Sequence, residues 1–195
     1  MIKIKLECIV SAATVRFAAA VSRWTEGVPD EIFDRVRNQW LRRYQAFTVR
    51  RFNLFSRGGG DWHPLARSTI MARTAARRGY RPNRKQWKRQ RFGRNVAILV
   101  DTGVLRNSLA LESTGNSHGT IPSGVEFGFA SIPHFGSKRT IAQIAKYHQE
   151  GDRLGRYPAR KILVEAPPDV RAAMTSDLQR GIAQAWKRAQ GDQQQ

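Results

Sequence analysis

A chain of 195 residues with 34 lysines and arginines against 15 acids carries a formal charge of +19, and that length favours one domain with appendages over two full domains. Its single cysteine, Cys8, excludes an intrachain disulfide framework and a thiolate-rich zinc site, and no run of 18 or more apolar residues offers a membrane span. So strong a charge implies an anionic partner: DNA, RNA, an acidic protein face or anionic lipid.

The opening "MIKIKLE" lacks the apolar run and cleavage site of a signal peptide, so a soluble protein made in a cytoplasm is expected. Alternation over residues 2–10 predicts a strand with Ile2, Ile4, Leu6, Cys8 and Val10 on one side, which makes Cys8 a small buried hydrophobe rather than a nucleophile. "SAATVRFAAAVSRW" reads as a short alanine-rich helix capped by Ser11, and "TEGVP" breaks it. A long helix is predicted over 29–55, opened by Pro29 with Asp30 and Glu31 in its first turn. Phe33, Val36, Trp40, Tyr44, Phe47 and Leu54 recur on one face, leaving Arg35, Arg42, Arg43 and Arg50 mainly on the others. Such a helix is about 40 Å long, more than a small globule needs, so part of it is expected to serve an assembly.

"SRGGG" ends that helix, because Gly58, Gly59 and Gly60 bring every permissive backbone angle and no packing. Residues 56–95 show little periodicity beyond "LARSTIMARTAARR", a short helix, and the charged "KQWKRQRF". Over residues 35–94 there are 18 Lys or Arg and one acid, Asp61, a net +17. A basic arm that orders against partners is the expectation for 56–95. Its candidate contact residues are Arg57, Trp62, Arg73, Arg77, Arg78, Arg84, Lys85, Trp87, Lys88, Arg89 and Arg91. Trp62 is expected to anchor the arm to the sheet, Trp87 to lie at an interface, and Trp40 to lie in the core.

Beyond the arm, "NVAILV" predicts a strand, "DTG" a turn, and "LRNSLAL" a strand with Leu105, Leu109 and Leu111 on one face. The polar "ESTGNSHGTIPSG" then forms a long hairpin connection to the returning strand "VEFGF". "TIAQIAKYHQEG" predicts a short helix with Ile141, Ile144 and Ala145 inward, and "YPARKILVEAPP" a strand stopped by Pro167 and Pro168. Val170, Met174, Leu178, Ile182, Ala185 and Ala189 mark a final amphipathic helix. The sum is one α+β domain over 1–190, a small antiparallel or mixed sheet with helices packed on one face, followed by a frayed tail at 191–195.

No constellation points to catalysis. His63, His118, His134 and His148 lack the i, i+4 spacing of a helical zinc pair, and Glu126 with Glu150 is too sparse a pattern for a magnesium site. "SRGGGDW" lacks the Lys-Ser/Thr of a phosphate-binding loop. Asp101-Thr102-Gly103 reads as a tight turn, its glycine supplying the special angle, rather than half of an aspartic-protease site. Neither enzyme activity nor a cofactor or metal is expected.

Taken in order, several short segments resemble one family. Asp61-Trp62-His63-Pro64-Leu65 after the glycine run, then Ser68-Thr69, then Asp101-Thr102-Gly103 with Leu105-Arg106-Asn107-Ser108-Leu109, resemble the signature of the phage virion morphogenesis or tail completion proteins of Mu-like and P2-like contractile-tailed phages. Val125 to Gly128, Ile144-Ala145-Lys146-Tyr147-His148-Gln149-Glu150-Gly151 and Pro158-Ala159-Arg160-Lys161-Ile162-Leu163 are similar to that family's small strand, its Ala-x-x-His-x-x-Gly turn and its Pro-Ala-Arg-x-Phe-Leu strand. Two departures stand out: "FASIPHFGSKRT" intervenes before the histidine segment, and Ile162 replaces an aromatic residue.

The resemblance implies a non-enzymatic ring subunit, hexameric, at the head-proximal end of the tail. Its implied partners are further copies of itself, head-tail connector proteins and tail tube or tail terminator proteins, with packaged DNA touched non-specifically and no membrane. It implies a place in the neck of the virion after assembly in the host cytoplasm. Composition by itself leaves a basic nucleic-acid-binding module, or another phage assembly protein, as the alternative.

Overall fold

Ser11 caps a hairpin instead of a helix. Its amide and hydroxyl both donate to the Thr14 carbonyl, at 2.8 and 3.0 Å, and its hydroxyl oxygen accepts from the Thr14 amide at 3.1 Å. The computed structural model describes residues 4–11, 14–21, 30–66, 69–70, 103–121, 124–134, 138–151 and 158–192. In it β1 (Ile4–Val10) pairs antiparallel with β2 (Thr14–Val21), so within the helix expected over 11–24 residues 14–21 form a strand instead. The register opposes Ile4 with Val21, Leu6 with Ala19, Cys8 with Phe17 and Val10 with Val15. A ladder on both sides of β2 outweighs the helix propensity of its three alanines, which is a weak preference of tenths of a kcal/mol per residue.

The 27-residue α1 (Asp30–Ser56) follows the expected bounds closely. Val36, Trp40 and Tyr44 are buried, and Arg35, Arg42, Arg43 and Arg50 are exposed. Leu54 departs from the expected face: it is 53% exposed, while Phe52 is buried. The surface covering the helix changes along its length, so the buried stripe turns towards Phe52 where Trp62 packs.

Two expected strands are absent. "LRNSLAL" opens with one helical turn, α2 (Val104–Asn107), and Leu105 and Leu109 are both buried at i, i+4 spacing, which an alternating pattern also satisfies. The strand that pairs with "VEFGF" lies instead inside the expected polar connection. It is β3 (Asn116–Ile121), antiparallel to β4 (Gly124–Phe129). As an edge strand with only Asn116 buried, β3 has no apolar alternation to announce it. Residues 158–167 likewise form no strand. "NVAILV" lies outside the described residues.

The sheet order is β1-β2-β4-β3, antiparallel throughout. Val15, Val125, Phe127 and Phe129 are buried, and Tyr44 of α1 meets Phe127 edge-on at 5.4 Å. Arg16 and Glu126, opposed in the β2–β4 register, form an ion pair that is partly exposed. Ile141 and Ala145 of α3 (Ile141–Glu150) are buried, while Ile144 is only half-buried. Thr140 and Gln143 form a reciprocal capping box at its start. The last helix, α4 (Pro168–Asp192), buries Met174, Leu178, Ile182 and Ala185 and runs two residues into the stretch read as a tail. It docks on α1 through the Trp40 indole, whose N–H donates to the Met174 carbonyl at 2.9 Å.

Candidate functional site

At the end of α1 the chain reverses through Gly58, at φ +85°. A Cβ on Gly60 would stand 1.9 Å from the Phe55 ring, and one on Gly59 2.6 Å from Leu54 Cδ1. The glycines therefore let the chain fold back tightly enough to bury Trp62 against Phe52 and Phe55, edge-on at 5.2 and 5.7 Å. The Trp62 indole N–H donates to the Lys161 carbonyl at 3.2 Å. Trp62 thus anchors to α1 and to the 158–163 segment.

Three more side chains complete this junction. Arg160 is buried, and its Nε and Nη2 donate to the His63 and Pro64 carbonyls at 3.1 and 3.3 Å. Its own amide donates to the His148 carbonyl at 2.6 Å. Arg51 donates to the Lys161 and Ile162 carbonyls and lies 4.3 Å over the Phe55 ring, and burial holds its pKa below the ordinary arginine value. Gln149 replaces the missing strand ladder: its Oε1 accepts from the Ile162 and Leu163 amides at 2.7 and 3.1 Å, and its Nε2 donates at 2.5 Å to the Leu163 carbonyl. Gly151, at φ +77°, ends α3 beside them. Arg51 and Gln149 escape sequence reading, although Arg51 and Phe55 stand at the i, i+4 spacing of a helical contact.

The remaining motif residues have simpler roles. Gly103, at φ +75°, precedes α2; Leu105 is buried; and Ser108 Oγ donates to the Val104 carbonyl at 2.8 Å. Pro158 and Leu65 are half-buried, and Pro64 and Arg57 are exposed. Asp101, Thr102, Arg73, Arg77, Arg78, Arg84, Lys85, Trp87, Lys88, Arg89 and Arg91 lie outside the described residues. The polar side chains at the junction donate to or accept from main chain, which is the work of positioning. Cys8 packs against the core but is half-buried rather than buried as expected, and burial pushes its thiol up. Among the described residues no group of three His, Cys, Asp or Glu is placed to hold a metal.

A second feature lies where α1 and α4 come closest. A Cβ on Gly181 would meet Val36 Cγ2 at 2.7 Å and Ile32 Cγ2 at 3.4 Å, so this glycine sets the approach of the two helices. Beside it Asp177, its side chain 2% exposed, is held by the Arg43 fork and by Arg180. Burial pushes this carboxyl up, but the hydrogen bonds and charge of Arg43 and then Arg180 outweigh it and leave its pKa below the usual carboxylate value. Above them runs a groove of about 410 Å³. One wall carries Arg35, Gln39 and Arg42 from α1, and the other Arg180, Gln184 and Arg188 from α4.

No protein-family model, curated protein or solved structure matches this chain.

Proposed function

We propose that this chain is a structural subunit of a phage neck, completing the tail at its head-proximal end and supporting head-tail joining. The observation that carries the reading is the junction of Trp62, His148, Gln149 and Arg160. Three of the segments that carry the resemblance, up to about a hundred residues apart in sequence, meet there through hydrogen bonds to main chain. Motifs that build a shared scaffold and hold no reactive group fit a subunit whose task is shape. The 27-residue α1, about 40 Å long, carries buried residues from Ile32 to Ser56 and so serves as the rigid axis of that scaffold.

In this reading the chain forms a ring of six with further copies of itself. It meets the connector on one side and the tail tube or terminator on the other, and the basic segment from Arg57 onwards contacts a neighbour or passing DNA. The arginine-lined groove favours a second reading, a basic nucleic-acid-binding or other phage assembly module. Imaging of intact particles with this subunit labelled separates the two. A cyclic array at the neck is the expected result, and a label at the baseplate, on the capsid shell or absent from the particle overturns the proposal.

A further inference from the structure

The groove between α1 and α4 collects five arginines, Arg35, Arg42, Arg43, Arg180 and Arg188, against one acid, Asp177, leaving a net +4 in about 410 Å³. Asp177 engages Arg43 and Arg180. Arg35, Arg42 and Arg188 are exposed and make no ion pair among the described residues. Every cation here is an arginine, whose planar fork suits a phosphate or carboxylate better than the point charge of lysine.

We propose that this groove binds the phosphodiester backbone of duplex DNA without reading its sequence. A protein partner would need an apolar or aromatic anchor site at the centre of its contact. Here the apolar floor is closed, Ile32 being 8% and Val36 4% exposed, and the walls present guanidinium and carboxamide groups. A single strand would call for aromatic platforms to stack its bases, and none lines the groove. The walls also have the right length. Arg35 to Arg42 spans about 10 Å of helix and Arg180 to Arg188 about 12 Å, and phosphates recur every ~3.4 Å of axis along each strand, so about three fall against each wall. Gln39 and Gln184 add neutral donors between the arginines. This inference stands apart from the neck assignment, because the groove would hold DNA wherever the subunit resides.

The test is a salt titration of the full chain with a mixed-sequence duplex of about 20 base pairs, between about 0.05 and 0.2 M salt, in three proteins of matched fold by circular dichroism. The first is the parent. The second carries Arg35→Gln, Arg42→Gln and Arg188→Gln, exposed helical positions where glutamine is well tolerated. The third carries Arg50→Gln, Arg106→Gln and Lys146→Gln, an equal loss of charge outside the groove. Each phosphate contact contributes about 0.9 to the slope of log affinity against log salt, so the groove variant should lose about 2 to 3 units of slope and roughly 10- to 100-fold in affinity. The control should lose markedly less, and a duplex of scrambled sequence should bind the parent equally. Equal losses in the two variants would reduce the groove to generic charge and overturn the proposal. So would tighter binding of a single-stranded oligonucleotide or a polyglutamate of matched charge when that binding is lost in the groove variant. Failure here leaves the neck reading intact, since particle imaging tests it separately.

Discussion

The guanidinium of Arg160 closes on the main-chain carbonyl of His63, 97 residues earlier, at 3.1 Å. It reaches the next carbonyl, Pro64, with its other nitrogen. A buried cation bridging two adjacent carbonyls fixes both the position and the direction of the chain that leaves α1.

Arg160→Ala removes two charge-assisted hydrogen bonds and the packing of a buried side chain, so a loss of about 2 to 4 kcal/mol is expected in urea unfolding. Arg160→Lys should recover only part of it, because an ammonium lacks the fork that spans both carbonyls. Full rescue by lysine would show that charge alone matters at this position.

The two buried tryptophans allow ring and N–H to be separated. Trp40→Ala and Trp62→Ala should each cost about 3 to 5 kcal/mol. Trp40→Phe and Trp62→Phe keep aromatic bulk but lose the bonds to the Met174 and Lys161 carbonyls, which adds about 1 kcal/mol to the packing loss. Thermal melts resolve the difference, and an unchanged melting temperature in Trp62→Phe would remove its hydrogen bond from the account.

Gln149→Leu tests the side chain that stands in for a strand. Its loss strands the Ile162 and Leu163 amides and the Leu163 carbonyl, an expected cost of about 2 to 4 kcal/mol. Hydrogen exchange should accelerate at the amides of 162 and 163 before it does in the β2–β4 ladder. Uniform acceleration across the domain would contradict a local role.

Asp177 supplies a pH signature. A carboxyl whose folded pKa lies below its unfolded value of about 3.9 contributes fully above that unfolded value and loses its contribution as pH falls through the folded one. The exposed arginine partners limit the contribution to about 1 to 2 kcal/mol. Asp177→Asn should therefore be less stable than the parent at neutral pH and approach it as pH falls through the lowered folded pKa of the carboxyl. Parallel stability curves for the two proteins down to that pH would refute the assignment.

Legibility in the sequence followed the physics of each element. α1, α3 and α4 bury one face each and wrote that periodicity into the chain, whereas β3 sits at an edge with only Asn116 buried and wrote none. In β2 the alanines expressed a helical preference that pairing on both flanks overrode. The segments around Trp62, His148 and Arg160 stood out through resemblance, but their meeting point did not, because bonds from side chain to main chain leave no spacing rule. The arginine groove was hidden for another reason. Each helix shows an outward row of charge, and only the close approach at Gly181 turns two rows into facing walls.

The central seam of the sheet pairs Thr14 with Gly128 and Ala18 with Gly124, so roughly a hundred residues separate the two strands that hold the domain's halves together. On a ribosome, the N-terminal hairpin must wait for that whole excursion to emerge before its inner edge is covered, which makes folding slow and late. The same arrangement makes the excursion cheap to lengthen, since doubling a loop costs only about 0.6 kcal/mol in closure entropy. Insertions into the basic stretch would then change the protein's surface while leaving the sheet intact.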